Sequence, residues 1–325
     1  MLRLRDLKCH YHTPRGVVQA VDGVSFEIRP NEVLGIAGES GCGKSTLLKV
    51  LYDYIQPPLQ IVSGHYEADF PDGNGRVKTI GPGEIREHWW DFISYIPQGS
   101  MSVLNPVIRI ENQFFDAVPK GHTLKAKGKQ AIRQRVAAYL KELELPVEVL
   151  KSYPHQLSGG MKQRVLVALG TFLHPQIVLA DEPTTALDVV VQKGILLMLT
   201  ELQQQMENTL VVVSHDMGVH YQISDRLAIM YAGKLVEYGP TDAIFGNPLH
   251  PYTQMLIQSL PRVGDRAQRS GISGRPPNLI DPPAGCRFAA RCPKVMEHCA
   301  HQEPALIQIE HQHYVSCHLY GEAAS

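Results

Sequence analysis

An α/β fold built on buried parallel strands is what three short stretches of this chain predict. The first is VLGIAGESGCGKSTLLKVL: an apolar run over Val33–Ala37, then Gly38-x-x-x-x-Gly43-Lys44-Ser45, then leucines at 47, 48 and 51 with helical spacing. The second is IVLADE, an apolar run ending in Asp181 and Glu182, and the third is VVVSHD, with His215 just beyond another such run. Runs of this kind read as buried parallel strands, and open sheets of parallel strands bind ligands at the strands' carboxyl ends.

The totals agree with a globular protein. The chain has 325 residues, 44% hydrophobic and 19% charged, which is enough for a full core and more than one domain. Its 31 basic and 32 acidic residues give no global field that would draw it onto nucleic acid or an anionic membrane. MLRLRDLKCHYHTPRG has scattered charges and no apolar core, so it reads as neither secretory signal nor transit peptide. With no apolar run near the ~20 residues that cross a bilayer, the expected setting is the cytosol.

Strand, glycine loop and helix arrive in the order a phosphate-binding loop requires. Glycines let backbone N–H groups turn inward around a polyphosphate, and the helix that follows presents its positive end to the same anion. Gly38, Ser40, Gly41, Cys42, Gly43, Lys44, Ser45 and Thr46 are the candidate lining, with Lys44 reaching the β- and γ-phosphates and the Ser45 hydroxyl on Mg²⁺. Packing does not explain Asp181 and Glu182, because burying unpaired carboxylates is costly. At a strand tip beside a ligand, Asp181 would hold Mg²⁺, directly or through water, and Glu182 would orient the attacking water.

LSGGMKQRV (residues 157–165) lies between these motifs, and TALD (residues 185–188) follows them. With this ordered set the sequence resembles the nucleotide-binding subunits of ABC transporters over about its first 260 residues. The resemblance implies a P-loop ABC ATPase cassette: a mixed central sheet, an antiparallel β subdomain and a helical subdomain. It also implies roles. Gln98 of SYIPQGS senses Mg²⁺ and water, Asp188 belongs to the D-loop, His215 contacts the γ-phosphate, and Tyr11 stacks on adenine or, alternatively, is a core tyrosine. Such cassettes pair head to tail, so Ser158, Gly159 and Gly160 would grip the ATP bound to a second subunit.

The coarse organisation follows. LRLRDL, VVQAV and VSFEI read as β-like segments, residues of about 100–172 as helical, and RLAIMYAGKLVEYGP as a hairpin turning at Ala232 and Gly233. Ile132, Val136, Ala137, Leu140 and Leu143 mark the apolar side of one helix, and a second is expected over residues 161–172. DFPDGNGRVK (residues 69–78) reads as a solvent-facing insertion between strands. The expected domains are 1–260 and 261–325.

Four of the six cysteines, Cys286, Cys292, Cys299 and Cys317, lie in the last forty residues, spaced x5, x6 and x17, behind prolines 276, 277, 282 and 283 that exclude a helix interior. With HPYT at 250–253, PPN at 276–278, GCRF and RCP, this tail is similar to the C-terminal domain of the oligopeptide, dipeptide and nickel branch of ABC importers. That resemblance implies a small metal-bound domain holding a [4Fe–4S] cluster. A Zn²⁺ site, disulfides and unligated thiols are the alternatives. His298, His301, His311 and His313 are substitute ligands or surface decoration. Cys9 reads as a small hydrophobe, and Cys42, near a helix N-terminus, as a thiol of lowered pKa.

Two features depart from the family pattern: Asn31-Glu32 stands where Gly-Glu is usual, and GSMSVLNPV keeps LNP with an altered lead-in. The implied function is the ATPase subunit of an importer of peptides or similarly sized solutes, with nickel or oligosaccharides as alternative cargo. It would be peripheral on the cytoplasmic face of the membrane, working with a homologous second ATPase, two permease subunits and an extracytoplasmic binding protein. Rival readings are a non-transport ABC ATPase with a zinc-bound recognition tail and an ABC-like part of a soluble metabolic complex such as one for phosphonate degradation. Neutral charge, a single cassette and the lack of an aromatic-interleaved basic patch speak against nucleic-acid binding.

Overall fold

The computed structural model describes residues 1–71, 76–99, 103–118, 126–185, 187–260 and 271–324, with no side chains described for 126, 127 and 322–324. The strands are β1 (Leu2–Thr13), β2 (Gly16–Ile28), β3 (Val33–Ala37), β4 (Leu59–Pro71), β5 (Val77–Ile80), β6 (Ile93–Ile96), β7 (Ile177–Asp181), β8 (Thr209–Ser214), β9 (Arg226–Tyr231), β10 (Lys234–Pro240), β11 (Leu306–Glu310) and β12 (His313–Ser316). The α-helices are α1 (Lys44–Leu51), α2 (Ile110–Asp116), α3 (Ala126–Glu142), α4 (Gly159–Thr171), α5 (Val189–Met206), α6 (Met217–Ile223), α7 (Thr241–Gly246) and α8 (Pro251–Gln258). They fall into two compact units: residues 1–83 with 213–325, and residues 84–212.

The first unit contains an antiparallel sheet in the order β2-β1-β4-β5. LRLRDLKC explains its bend. Leu2 and Leu4 are buried in one phase of the period-2 alternation and Leu7 and Cys9 in the other, and the register with β2 shifts between Leu4 and Leu7, where Asp6 has φ of 45°. The β4–β5 hairpin takes in most of the expected insertion, pairing Pro71 with Val77; residues 72–75 lie outside the described residues.

The second sheet of this unit runs β11-β12-β10-β9-β3, with β3 and β9 parallel and the remaining pairs antiparallel. All five residues of β3 and all six of β9 are buried, as continuous apolar runs require. The predicted hairpin joins β9 to β10, with Ala232 and Gly233 at φ of 47° and 86° in the left-handed pair that suits a two-residue turn. Asn31, at φ of 58°, adopts the left-handed conformation that glycine would otherwise supply, and its neighbour Glu32 is buried, accepting the Arg29 N–H at 2.7 Å.

The expected boundary at residue 260 does not divide the packing. β12 adds to β10, pairing Val315 with Glu237 and Tyr314 with Tyr238. Phe288 lies edge-on to Tyr231 at 5.1 Å between ring centroids and 5.4 Å from Tyr252, inside the core that Leu227, Ile229 and Ile244 also form. The tail joins this core because so short a segment cannot bury enough surface alone. His313 corrects the reading of surface decoration: it is fully buried, and its Nε2 lies 2.8 Å from the equally buried Glu237, whose carboxylate also accepts the N–H groups of Leu249 and His250.

In the second unit β6 and β7 pair in parallel, from Ile93 opposite Ile177 to Ile96 opposite Ala180. α3 buries Val136 and Leu140 as its period predicts, with Ile132 and Ala137 half-buried and Leu143 buried just beyond its end, and it also buries Tyr139, whose hydroxyl donates to Thr171 Oγ1 at 2.7 Å. Phe114 of α2 meets Phe172, just after α4, edge-on at 5.2 Å. β8 is buried along its whole length, and the division between the units falls within it.

Two histidines of the first unit are held neutral by burial: His220 is pushed down to about 4 and His250 to about 3. The unfolded chain protonates them near pH 6.5, so between there and the folded values it binds protons that the folded state does not. Stability is therefore complete above pH ~6.5 and falls as the pH drops, by up to about 1.4 kcal/mol per pH unit for each histidine. Urea melts at pH 7 and pH 5 are expected to show this loss, with a shallower dependence in His250→Gln.

Candidate functional site

Every residue of the predicted phosphate loop lies in the first unit. β3 ends at Ala37, and the loop turns through Gly38, Gly41 and Gly43 at φ of 147°, 80° and 106°. Gly38 and Gly43 admit no side chain, since a Cβ would stand 2.1 Å from the Met230 carbonyl oxygen and 2.0 Å from that of Ala20. α1 then starts with no side-chain cap at Gly43, which leaves its N-terminus suited to an anion. Lys44 is buried, with Nζ donating to the carbonyls of Gly38 at 2.7 Å and Glu39 at 2.9 Å. Its ammonium is already desolvated and rests on groups it can exchange for phosphate oxygens. Ser40 and Gly41 are exposed, and Tyr11 of β1 sits with its hydroxyl 3.2 Å from Thr46 Oγ1. His215 is exposed between β8 and α6, where Asp216 caps the helix by accepting the Gly218 N–H at 2.8 Å.

Cys42 differs from expectation. It is buried, and burial pushes its thiol up even though Lys44 Nζ lies 3.6 Å from the sulfur and favours the thiolate. Desolvation outweighs the helix terminus here.

In the second unit Asp181 closes β7, buried, and accepts a hydrogen bond from Tyr95 Oη at 2.8 Å. Glu182 follows at φ of 45°, a left-handed conformation that is uncommon for a non-glycine residue. Its Oε2 accepts Gln98 Nε2 at 2.8 Å and Thr185 Oγ1 at 2.7 Å, so two residues read separately from the sequence converge. Ser158 caps α4, which starts two residues earlier than expected, by accepting the Met161 N–H at 3.3 Å. Asp188 caps α5, accepting the N–H groups of Val190 and Val191 at 3.1 and 3.0 Å. Gly160 faces α5, where a Cβ would approach Val191 Cγ1 to 3.0 Å, so Ser158–Gly160 and the start of α5 form one surface. Val189 and Val190 stand out from it, 79% and 82% exposed.

The four tail cysteines are unbridged. Burial pushes the Cys286 thiol up to about 11, and that sulfur also senses Cys317, Cys299 and Cys292 electrostatically. Cys286, Cys292 and Cys317 each receive the backbone N–H of the residue two further on, at 3.4 Å for Lys294 N to Cys292 Sγ. Such N–H donors favour a thiolate, and three thiols with this support, together with Cys299, are by their chemistry a donor set suited to Zn²⁺ or an iron–sulfur cluster. Among the described residues, however, no group of three or more His, Cys, Asp or Glu side chains is disposed to hold a metal ion. His301 and His311 are exposed, and His298 packs edge-on against His318.

The sequence reading missed Tyr95, Thr185, Tyr252 and Arg291. Tyr252 Oη accepts the Glu39 N–H at 2.8 Å, and Arg291 pairs with the Glu39 carboxylate. Tyr95 lies in a strand that otherwise reads as core, and nothing local in the sequence links Arg291 to a loop some 250 residues earlier.

A glycine loop closing on an uncapped helix, with a strand-end carboxylate pair and two capped helices, defines a P-loop ATPase cassette. Residues 21–185 match the ABC transporter family, and residues 236–299 match the oligopeptide/dipeptide transporter C-terminal region. The chain belongs to the ABC transporter family. It is similar to the dipeptide transport ATP-binding protein DppD of Caldanaerobacter subterraneus, 40% identical over 99% of this chain and 98% of that one. It is also similar to the oligopeptide transport ATP-binding protein OppD of Salmonella typhimurium, 37% identical over 94% and 89%. Among solved structures, the dimeric structure of MJ0796, a bacterial ABC transporter cassette, matches with a TM-score of 0.62 at 26% identity, over 74% of this chain and 99% of that one. No helix among the described residues is long and apolar enough to cross a membrane.

In the native protein, alkylation by iodoacetamide at pH 8 is expected to modify Cys42 at least tenfold more slowly than a free exposed thiol, as read by peptide mass spectrometry.

Proposed function

We propose that this chain is the ATP-hydrolysing subunit that powers import of peptides or similarly sized solutes through a membrane transporter, bound peripherally on the cytoplasmic face. The observation that carries the cargo is the match of residues 236–299 to the oligopeptide/dipeptide C-terminal region, together with relatives of that name along nearly the full chain. The partners are a second homologous ATPase, two permease subunits and an extracytoplasmic binding protein.

Lys44 and the N–H groups of residues 38–46 would bind the β- and γ-phosphates of ATP, Tyr11 would stack on adenine and Ser45 would offer its hydroxyl to Mg²⁺, while in the second unit Gln98 and Asp181 are the candidate Mg²⁺ ligands. Glu182 polarises the attacking water, with His215 beside the γ-phosphate. The Gln98 and Thr185 hydrogen bonds on Oε2 fix the direction of the Glu182 carboxylate. Ser158, Gly159 and Gly160 grip the γ-phosphate of ATP on the second ATPase, and Asp188 with the exposed Val189 and Val190 belongs to the same contact. ATP then binds the closed pair tightly, and hydrolysis releases it. In vesicles carrying the permeases and both ATPases, Glu182→Gln is expected to lower ATP-driven peptide uptake and hydrolysis at least a hundredfold while ATP still binds, whereas Lys44→Ala loses binding itself. Uptake that survives Glu182→Gln removes this assignment.

Cys286, Cys292, Cys299 and Cys317 are proposed to hold a [4Fe–4S] cluster, with Zn²⁺ as the alternative occupant. The cluster supplies a cross-link within the tail, and ATP hydrolysis needs no electron from it. Anaerobic purification is expected to yield near four irons and four acid-labile sulfides per chain, lost in Cys292→Ser; one zinc without sulfide gives the site to Zn²⁺ instead.

A further inference from the structure

The phosphate loop and the cysteine segment meet at one side chain. Arg291, which directly precedes Cys292, sets Nη1 at 2.7 Å and Nη2 at 2.8 Å from the two carboxylate oxygens of Glu39, the residue after Gly38. Its other contacts fix the fork: Nη1 donates to Tyr231 Oη at 3.1 Å, Nη2 to the Ile272 carbonyl at 3.1 Å and Nε to the Ser273 carbonyl at 2.9 Å. The Arg291 side chain is only 5% exposed. The backbone of Glu39 is held too, its N–H by Tyr252 Oη and its carbonyl by Lys44 Nζ.

A carboxylate in this place needs a partner. Glu39 sits within a loop built to take a polyphosphate, and an uncompensated negative charge there repels the ligand. A bidentate guanidinium neutralises that charge and also fixes the direction of the carboxylate, which a single ammonium does not. From this geometry we infer that Arg291 is a positioning residue for nucleotide binding. It neutralises and anchors Glu39, and thereby keeps the Gly38 and Glu39 carbonyls where Lys44 rests. The cysteine segment thus forms one wall of the support for the phosphate loop.

The inference rests on the ATPase reading, and the test separates the two. Affinity for a fluorescent ATP analogue with Mg²⁺ is measured by titration of the full chain, alongside the melting temperature without nucleotide, for wild type, Arg291→Gln, Glu39→Gln and the double variant. Arg291→Gln is expected to raise Kd about tenfold because Glu39 is left uncompensated, and Glu39→Gln no more than about threefold. The double variant is expected to bind more tightly than Arg291→Gln alone, since the repelling charge has gone. In the assembled transporter Arg291→Gln raises KM for ATP and leaves kcat within twofold. If Arg291→Gln does not fold, Arg291→Lys replaces it, with Kd expected to rise about threefold. A lowered melting temperature with unchanged Kd makes Arg291 merely structural and overturns the proposal, as does a double variant that binds no better than Arg291→Gln. A wild-type chain that binds no nucleotide overturns the ATPase reading beneath it.

Discussion

A loop that binds phosphate has to leave its donors available until the ligand comes, and most of the first unit is arranged around that requirement. α1 begins without a side-chain cap, and the loop before it passes through left-handed glycine conformations that few other contacts would favour. Such a segment has little stability of its own. Its shape comes from outside: the Ala20 and Met230 carbonyls crowd Gly43 and Gly38, the Gly233 N–H holds the Cys42 carbonyl at 2.9 Å, and Tyr252 holds Glu39. The turn between β9 and β10 therefore supports the loop as well as joining two strands.

The same turn connects the loop to the tail through a buried charge. Asp22 accepts Arg287 Nη2 at 2.6 Å and lies 2.8 Å from Lys234 Nζ, while Arg287 also donates to the Ala232 carbonyl. Burial alone would raise the Asp22 carboxyl, but these cations outweigh it and hold it low. Arg287 adjoins Cys286 as Arg291 adjoins Cys292, so each of the first two tail cysteines has a neighbouring arginine that reaches back to the N-terminal part of the unit, at Asp22 and Glu39.

Most of the fold was legible because its signals are local. Continuous apolar runs gave β3, β7 and β8, the Ala232-Gly233 step gave the hairpin, and the 3.6-residue period gave α3. Glu182 and Gln98 were legible as chemistry, though their hydrogen bond to each other was not. Contacts between residues far apart in sequence were hidden. Glu237 reads as an ordinary strand charge and His313 as a surface residue, and only the pairing of β12 with β10 buries the two together. Cys42 failed for a related reason: its position beside a helix terminus is written in the sequence, whereas its burial, which raises the thiol, is not.

The first unit is assembled from the two ends of the chain, with residues 84–212 between them. β3 has its partner β9 about 190 residues later, and β10 has its partner β12 later still. During synthesis the phosphate loop therefore emerges long before the strands and side chains that shape it, and until β12 emerges β10 presents an unpaired edge. A nascent chain that has not yet reached residue 291 carries every ATP-binding motif and still lacks the guanidinium that holds Glu39 in the phosphate loop.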